Sequence, residues 1–285
     1  MARNCLHRVP GRTCRKPLKK VHYKFLGGSL GSPRGEPPKG ASNSVHYIAD
    51  AFVLAVKLIF TGDPEVYGIT ARTLEISISS TLIAALLFIP LGCLIYFNNF
   101  RGRRLLITVI QTCYSLPTVF VGLLVFLAFS NAGPLGIFDI MFTPQVMVIG
   151  QVVLVGPIVT GLAISALSGV SPAIRETAIS LGASRLQSVW AVLKEARFAV
   201  LTAVMVGFGR AISEVGLALM VGGNIKGYTR VLTTAITLDT GQGNVERALA
   251  LGLILVALAL IITVLANRFL KVKEADVAQS RAPTS

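Results

Sequence analysis

Arg210 and Glu214 are the first residues whose chemistry needs explaining. Both are charged, and both lie in the apolar stretch 197–221. Four apart on a helix, they share a face and can pair. An unpaired charge at the centre of a bilayer costs about 2.5–3.5 kcal/mol on insertion scales, so such residues face a bundle interior or a water-filled path. Two uses satisfy that rule: a path-side element near a gate, with Ser213 beside it, or a structural pair between helices. Ser115 and Thr118 flank Pro117. Their hydroxyls can be offered to an anion, or can bond back to carbonyls at a proline kink.

Catalytic chemistry is not indicated. The apolar stretches hold no paired aspartates, no Ser with Lys or His, and no His-rich metal motif. His7, His22 and His46 all precede the hydrophobic body, and Cys5, Cys14, Cys93 and Cys113 form no C-x-x-C,. No G-x-x-x-x-G-K-S/T occurs, so the chain cannot cradle ATP phosphates by that device,. We expect no catalytic residue, no metal site and no cofactor within the chain.

The elements that carry these residues must be membrane helices. Of 285 residues, 53% are hydrophobic and 14% charged, with mean hydropathy +0.70; soluble domains carry about 25% charged residues. Charge-free runs cover 76–100, 105–138, 140–174 and 248–267. Each is long enough for the roughly 20 apolar residues of a spanning helix. This excludes a soluble globular chain, a disordered chain, and a barrel whose strands alternate over roughly 10 residues. Spans are predicted at 73–97 with Pro90 as a kink, at 105–129 with Pro117 inside, and at 144–167 with Pro157 inside. Two more are predicted at 197–221 and 246–267. Residues 45–61 are shorter and carry Asp50 and Lys57 seven apart, which predicts an amphipathic helix lying in the interface,. Gly62 to Glu65 reads as a turn. Ala203, Gly207 and Ala211, spaced four apart, permit close helix approach,.

Charge sets the expected orientation. Residues 1–43 hold ten Lys/Arg against Glu36 alone, and they contain no apolar h-region. They read as a basic disordered tail rather than a signal peptide. No Met occurs between Met1 and Met141, so a later true start, for example near Val45, would use a non-Met codon. With five spans, the loops 98–104, 168–197 and 268–285 share one side and hold eleven Lys/Arg; the other side after residue 44 holds five. The positive-inside rule makes the first set cytoplasmic, with the N-terminus outside and the C-terminus inside. The basic tail opposes that placement, and a sixth span at 45–61 would bring it inside. The net charge of +14 thus falls on the tail and the cytoplasmic loops, so nucleic-acid binding is not expected.

The loop 171–197 is the most informative of these. Ser171 can cap a helix with Pro172 at its first position,. Gly182 can end that helix in the left-handed conformation. Ser184, with Gln187 three residues on, opens a second helix through a capping box,. Two short helices meeting at a glycine elbow form a knuckle suited to another protein's groove.

This loop resembles that of ABC-importer membrane subunits, whose pattern is Glu-Ala-Ala, three residues, Gly, nine residues, Ile-x-Leu-Pro. Glu176-Thr177-Ala178 and Gly182 match, and Val192 falls at the Ile position. Lys194 and Glu195 replace Leu-Pro, a departure that bears on where the second helix ends. Gly209-Arg210-Ala211-Ile212-Ser213-Glu214-Val215-Gly216 is similar to permease subunits of tungstate importers, a group within the molybdate/sulfate permease family. So is the segment from Gly222-Gly223-Asn224 through Lys226-Gly227-Tyr228-Thr229-Arg230 to Ile236. The resemblance covers about 45–270.

The resemblance implies an all-α, type I ABC importer transmembrane domain in the inner membrane, with five transmembrane helices and an N-terminal interfacial helix. It implies a homodimer, two cytoplasmic ATPases that bind ATP and Mg, and an external oxyanion-binding protein. Glu176, Thr177, Ala178, Gly182 and Ser184 would form the ATPase-coupling loop. Arg210, Ser213, Glu214, Ser115 and Thr118 would line the path or gate. The expected organisation is a tail at 1–43, a permease domain at 44–270 with its coupling loop at 168–196, and a cytoplasmic tail at 271–285. Tungstate is the favoured cargo, with molybdate or sulfate as alternatives. A non-ABC carrier or channel is more distant, because the spans show no inverted repeat and no multi-acid relay. The external segment 222–244 is either a plain loop or a short helix beneath the binding protein, with Lys226 and Arg230 as guides for an anion.

Overall fold

The computed structural model describes residues 52–54, 56–57 and 63–280, all within one compact unit, Ala41–Ser285. The tail 1–43, residues 281–285 and most of the 45–61 segment lie outside the described residues. Phe52–Leu54, Val56 and Lys57 of that segment are helical. Among the described residues there is no strand.

Helix α1 (Pro64–Phe97) begins earlier than its apolar stretch predicts. The Asp63 carboxylate accepts from the N–H groups of Glu65 (2.8 Å) and Val66 (3.4 Å), with Pro64 at the first helical position. The part of the expected turn that is described, Asp63 to Glu65, is therefore a helix start, and Gly62 lies outside the described residues. Asp-Pro-Glu supplies a cap, a pre-set φ and an acid at the positive helix end.

The stretch 105–129 is not one kinked span. It forms α2 (Arg103–Thr112), a 3-10 turn (Cys113–Ser115) and α3 (Thr118–Phe129), bent by 99°. The cause is local. Pro117 disfavours helical backbone at the residue before it, and Leu116 is extended with ψ 131°. Helix α4 (Pro144–Ser168) matches its prediction and carries Pro157 without breaking.

Two short loops then frame α5 (Pro172–Ser180), α6 (Arg185–Ile212) and α7 (Gly216–Gly222). Helix α7 leaves α6 at 60°, so the expected fourth span is also broken. Last come α8 (Leu232–Gly241) and α9 (Val245–Ser280). The helix at the C-terminal end continues past 270, to Ser280. Among the described residues, α1, α4 and the Val245–Ala266 part of α9 are long and apolar enough to cross a membrane. Counting each bent pair as one span gives five.

Helix α4 is the central post, with 67% of its most apolar window buried against 33% for α1 and 22% for α9. Apolar clusters climb along it. Val121, Val125, Met147, Leu217 and Val221 join α3, α4 and α7. Ala84, Val155, Val159 and Ala211 join α1, α4 and α6. Leu167, Val192, Ala196 and Val200 close the end near α5. Leu82, Leu86 and Leu94 on α1, and Val256, Leu260 and Ile261 on α9, are exposed. Such rows suit lipid rather than water.

The row Ala203, Gly207 and Ala211 is buried and used for packing. A Cβ on Gly207 would lie 2.9 Å from Val155 Cγ1 and 3.0 Å from Val159 Cγ2. Both valines are buried and stiff at χ1,. Gly207→Leu is therefore expected to destabilise the fold by about 1–3 kcal/mol through overpacking. Val206→Leu, at an exposed neighbour, should be nearly neutral. Thermal unfolding of the two purified variants checks this. Equal midpoints would show that α4 and α6 yield freely.

Candidate functional site

The elbow forms as its residues dictate. Helix α5 starts after Ser171, whose side chain makes no cap bond, with Pro172 first. It ends in a Schellman motif: Ala183 N–H donates to Ala178 C=O (3.0 Å) and Gly182 N–H to Ile179 C=O (2.9 Å),. Gly182 sits at φ +80°. Ser184 Oγ then accepts from Gln187 N–H (3.3 Å), and Ser184 N–H donates to Gln187 Oε1 (2.7 Å). Glu176, Thr177, Ala178, Gly182 and Ser184 are thereby gathered on one knuckle. Leu181, Leu186 and Trp190 are 82%, 76% and 68% exposed there, an apolar surface of the kind that marks a partner site. No proline interrupts at Lys194-Glu195, so the second knuckle helix runs on to Ile212 as one piece. A separate span beginning at 197 is not present.

The second region lies where α6 breaks. Arg210 Nη1 meets Glu214 Oε2 at 3.0 Å. Glu214 is 2% exposed, whereas the Arg210 side chain is 32% exposed. The other carboxylate oxygen of Glu214 accepts from Leu217 N–H at 3.0 Å, so the same side chain caps α7. Breaking a helix frees carbonyls, and buried polar groups must be satisfied. Gln151 Nε2 donates to Ala211 C=O (3.3 Å), while Gln151 Oε1 accepts from Ser80 Oγ (2.7 Å). Thr233 Oγ1 donates to Glu214 C=O (2.8 Å). Ser213 Oγ bonds back to Gly209 C=O (2.8 Å).

The two helix breaks adjoin. A Cβ on Gly216 would lie 2.9 Å from Thr118 Oγ1 and 2.8 Å from Val119 Cγ2. Thr118 is thus brought to the start of α7, two residues beyond Glu214. Ser115, in the 3-10 turn, is exposed. Gln151, Ser80 and Thr233 were not singled out from the sequence. Gln151 carried a signal, since a primary amide in a charge-free run must find partners inside the fold.

At the far end of α1 a third cluster forms. Thirty-four helical residues at 1.5 Å each separate Glu65 from the elbow-side Phe97 by about 50 Å. Glu65 meets Lys226 at 3.0 Å, Arg247 at 3.3 Å and Arg230 at 3.5 Å. Arg247 also reaches Asp239 at 3.5 Å. Lys226 and Arg230, the expected anion guides, share with Arg247 a single acid that the sequence placed in a turn. The segment 222–244 does contain a short helix, α8. It is largely buried, and Leu232 N–H donates to Thr73 Oγ1 at 2.9 Å.

Apolar helices broken at polar joints, with an elbow bearing exposed apolar side chains between two of them, define a membrane-spanning domain with a surface for a partner. The chain belongs to the family described as binding-protein-dependent transport system inner membrane component, which it matches over residues 73–276. It is 40% identical over 207 residues to a probable anion ABC transporter permease protein of Haloferax volcanii, covering 71% of this chain and 89% of that one. It is also 40% identical over 215 residues to the tungstate uptake system permease protein TupB of Peptoclostridium acidaminophilum, covering 75% and 94%. In structure it is similar to a subunit of a bacterial alginate ABC transporter crystallised with its alginate-bound periplasmic protein. The TM-score is 0.65 at 19% identity, covering 80% of this chain and 87% of that one. The fold is thus that of an ABC importer transmembrane domain. The chain is a multi-pass inner-membrane permease of that class, not an enzyme.

Proposed function

We propose that this permease imports tungstate, driven by ATPase subunits that dock on the elbow. The substrate assignment is supported by the 40% identity to a tungstate permease over 94% of that relative. The observation that carries the coupling role is the elbow itself, with a Schellman end on α5, a capping box opening α6, exposed apolar tips and one helix running unbroken from the knuckle to the Arg210–Glu214 break. A push on α5 would reach that break through 28 residues of continuous helix. Two copies of the chain would pair around a central path, with Thr118, Arg210, Ser213 and Glu214 near its gate and Ser115 at the rim. The basic loops 98–104, 168–197 and 268–285 would face the cytoplasm. The Glu65 end would face an external binding protein.

High-affinity recognition belongs to that binding protein. Glu214 already pairs with Arg210, and Lys226, Arg230 and Arg247 are drawn to Glu65. Few free charges suit a conduit, because an ion must leave as well as enter. The assembled complex in proteoliposomes should show ATPase activity stimulated by tungstate more than by molybdate or sulfate. Calorimetry on the permease alone should show no submicromolar tungstate binding. Stimulation by sulfate alone would overturn the substrate, and submicromolar binding to the isolated permease would overturn the conduit.

A further inference from the structure

We propose that the polar side of α2 walls the water-filled route by which the oxyanion leaves the Glu214 break toward the cytoplasm, with Gln111 facing that route and a second copy of the chain closing it opposite. Helix α2 meets three different surroundings. Arg103, Ile107 and Ile110, three or four apart and so on one face, are half-buried. Leu105, Leu106 and Val109 are 69%, 37% and 49% exposed, an apolar side suited to lipid. Thr108, Gln111 and Thr112, continued by Ser115 in the 3-10 turn, are exposed as well, and they are polar. No residue of α2 is fully buried. One helix thus presents an apolar and a polar face outward, and a single medium does not suit both.

The packed side shows how α2 stands. At its start, the Arg103 guanidinium lies 5.6 Å over the Tyr96 ring and donates to Asn99 Oδ1 at 3.2 Å, beside the last turn of α1. Beyond its end, the Tyr114 hydroxyl occupies the place where a Cβ on Gly161 would stand. Gly161 precedes Ser168, the end of α4, by about two helical turns, or about 10 Å. Helix α2 therefore climbs into the bundle, from the basic loop 98–104 toward Thr118, instead of lying flat across its end. Gln111 decides what the polar side meets. The Thr108 and Thr112 hydroxyls donate back to the carbonyls of Arg104 (3.0 Å) and Thr108 (2.9 Å), so lipid would tolerate them. The Gln111 amide offers two donors and an acceptor. It has no side-chain partner among the described residues, and in hydrocarbon it would stay unsatisfied. Polar groups within a membrane face a bundle interior or a water-filled cavity. The stretch also suits an anion, because no Asp or Glu occurs between Glu75 and Asp139 and so none of its side chains repels the cargo.

The cargo, its direction and the second copy rest on the proposed function; the wet side of α2 does not. The test places single cysteines, Leu105→Cys, Thr108→Cys, Val109→Cys and Gln111→Cys in turn, in the complete transporter. Inside-out vesicles, preloaded with the binding protein and tungstate, expose the cytoplasmic face; right-side-out vesicles expose the other. A membrane-impermeant anionic methanethiosulfonate is added to each, and labelling is read at each introduced cysteine by peptide mass. A thiol in lipid stays protonated and slow. Gln111→Cys and Thr108→Cys should therefore label from the cytoplasmic face about tenfold or more faster than Leu105→Cys and Val109→Cys. Label on residue 111 should slow transport roughly fivefold or more by narrowing the route, and reduction of the mixed disulfide should restore it. Thr108→Cys supplies the same reading if Gln111→Cys fails to assemble. Equal rates on the two sides of the helix, or labelling of the polar side from the external face alone, would overturn the wall. Fast labelling that leaves transport intact would show that α2 merely borders the cytoplasm, and would overturn the route. Fast labelling that blocks transport of sulfate, in a transporter that does not move tungstate, would retain the route while overturning the tungstate reading.

Discussion

Glu214→Ala is expected to weaken the fold by about 3 kcal/mol and to abolish transport, and adding Arg210→Ala to it should do less harm than the two single losses summed. Three bonds depend on the Glu214 side chain or its position. Oε2 holds Arg210 and Oε1 caps α7 through Leu217 N–H. The Glu214 carbonyl is fixed by Thr233. Removing the carboxylate leaves a guanidinium without its counter-charge and a buried N–H without an acceptor. Breaking one half of a buried pair costs roughly 3–5 kcal/mol. The lower figure applies because Arg210 is 32% exposed and keeps part of its solvation. Glu214→Gln is the sharper probe. An amide oxygen can still cap Leu217, so this variant should keep more of the fold while losing the charge pairing. Denaturation of the purified variants, with uptake in cells expressing them equally, measures both effects. Strict additivity in the double-mutant cycle would show that the two charges do not depend on one another.

How much of this arrangement was legible in the sequence depended on the range of the forces involved. Two of the elbow's three expected local devices were legible, because capping and αL termination act within four residues: Ser184 with Gln187, and Gly182 after α5, whereas the cap expected from Ser171 does not form. The Arg210–Glu214 pair was legible for the same reason, being one helical turn apart. The breaks were only half legible. Pro117 announced a disturbance but not a 99° turn, because the angle is set by what α3 packs against. There, Gly122 would place a Cβ 3.0 Å from Leu217 Cα. The end of α6 carried no proline at all. It breaks because Glu214, Gln151 and Thr233 offer the freed backbone groups partners from α4, α8 and its own turn. Gln151, held by Ser80, and Thr233 reach the Ala211 and Glu214 carbonyls only in three dimensions, so no spacing rule could join them. Glu65 was misjudged for the same reason: its partners lie at 226, 230 and 247.

The last expectation concerns Gly182, and it separates backbone conformation from side-chain bulk. The site is sterically open, since a Cβ there would meet nothing within 4 Å. Any damage on substitution must then come from φ +80°. An L-residue in the left-handed region costs roughly 1–2 kcal/mol, asparagine and aspartate being the side chains that tolerate it best. For a β-branched residue that conformation is an outlier. The series Gly182→Asn, Gly182→Ala, Gly182→Val should therefore lose function in that order, although alanine is the smallest of the three. The physical route is the Schellman pair. If residue 182 abandons positive φ, Ala183 N–H loses Ala178 C=O, and the direction in which α6 leaves α5 changes. The membrane helices are untouched by this, so all three variants should insert and accumulate normally. Tungstate uptake, and co-purification with the ATPase in detergent, should be near normal for Asn, reduced for Ala and lost for Val. If Val transported as well as Asn, the elbow's shape would not be what couples it to its partner. If Ala outperformed Asn, bulk rather than backbone conformation would govern the site.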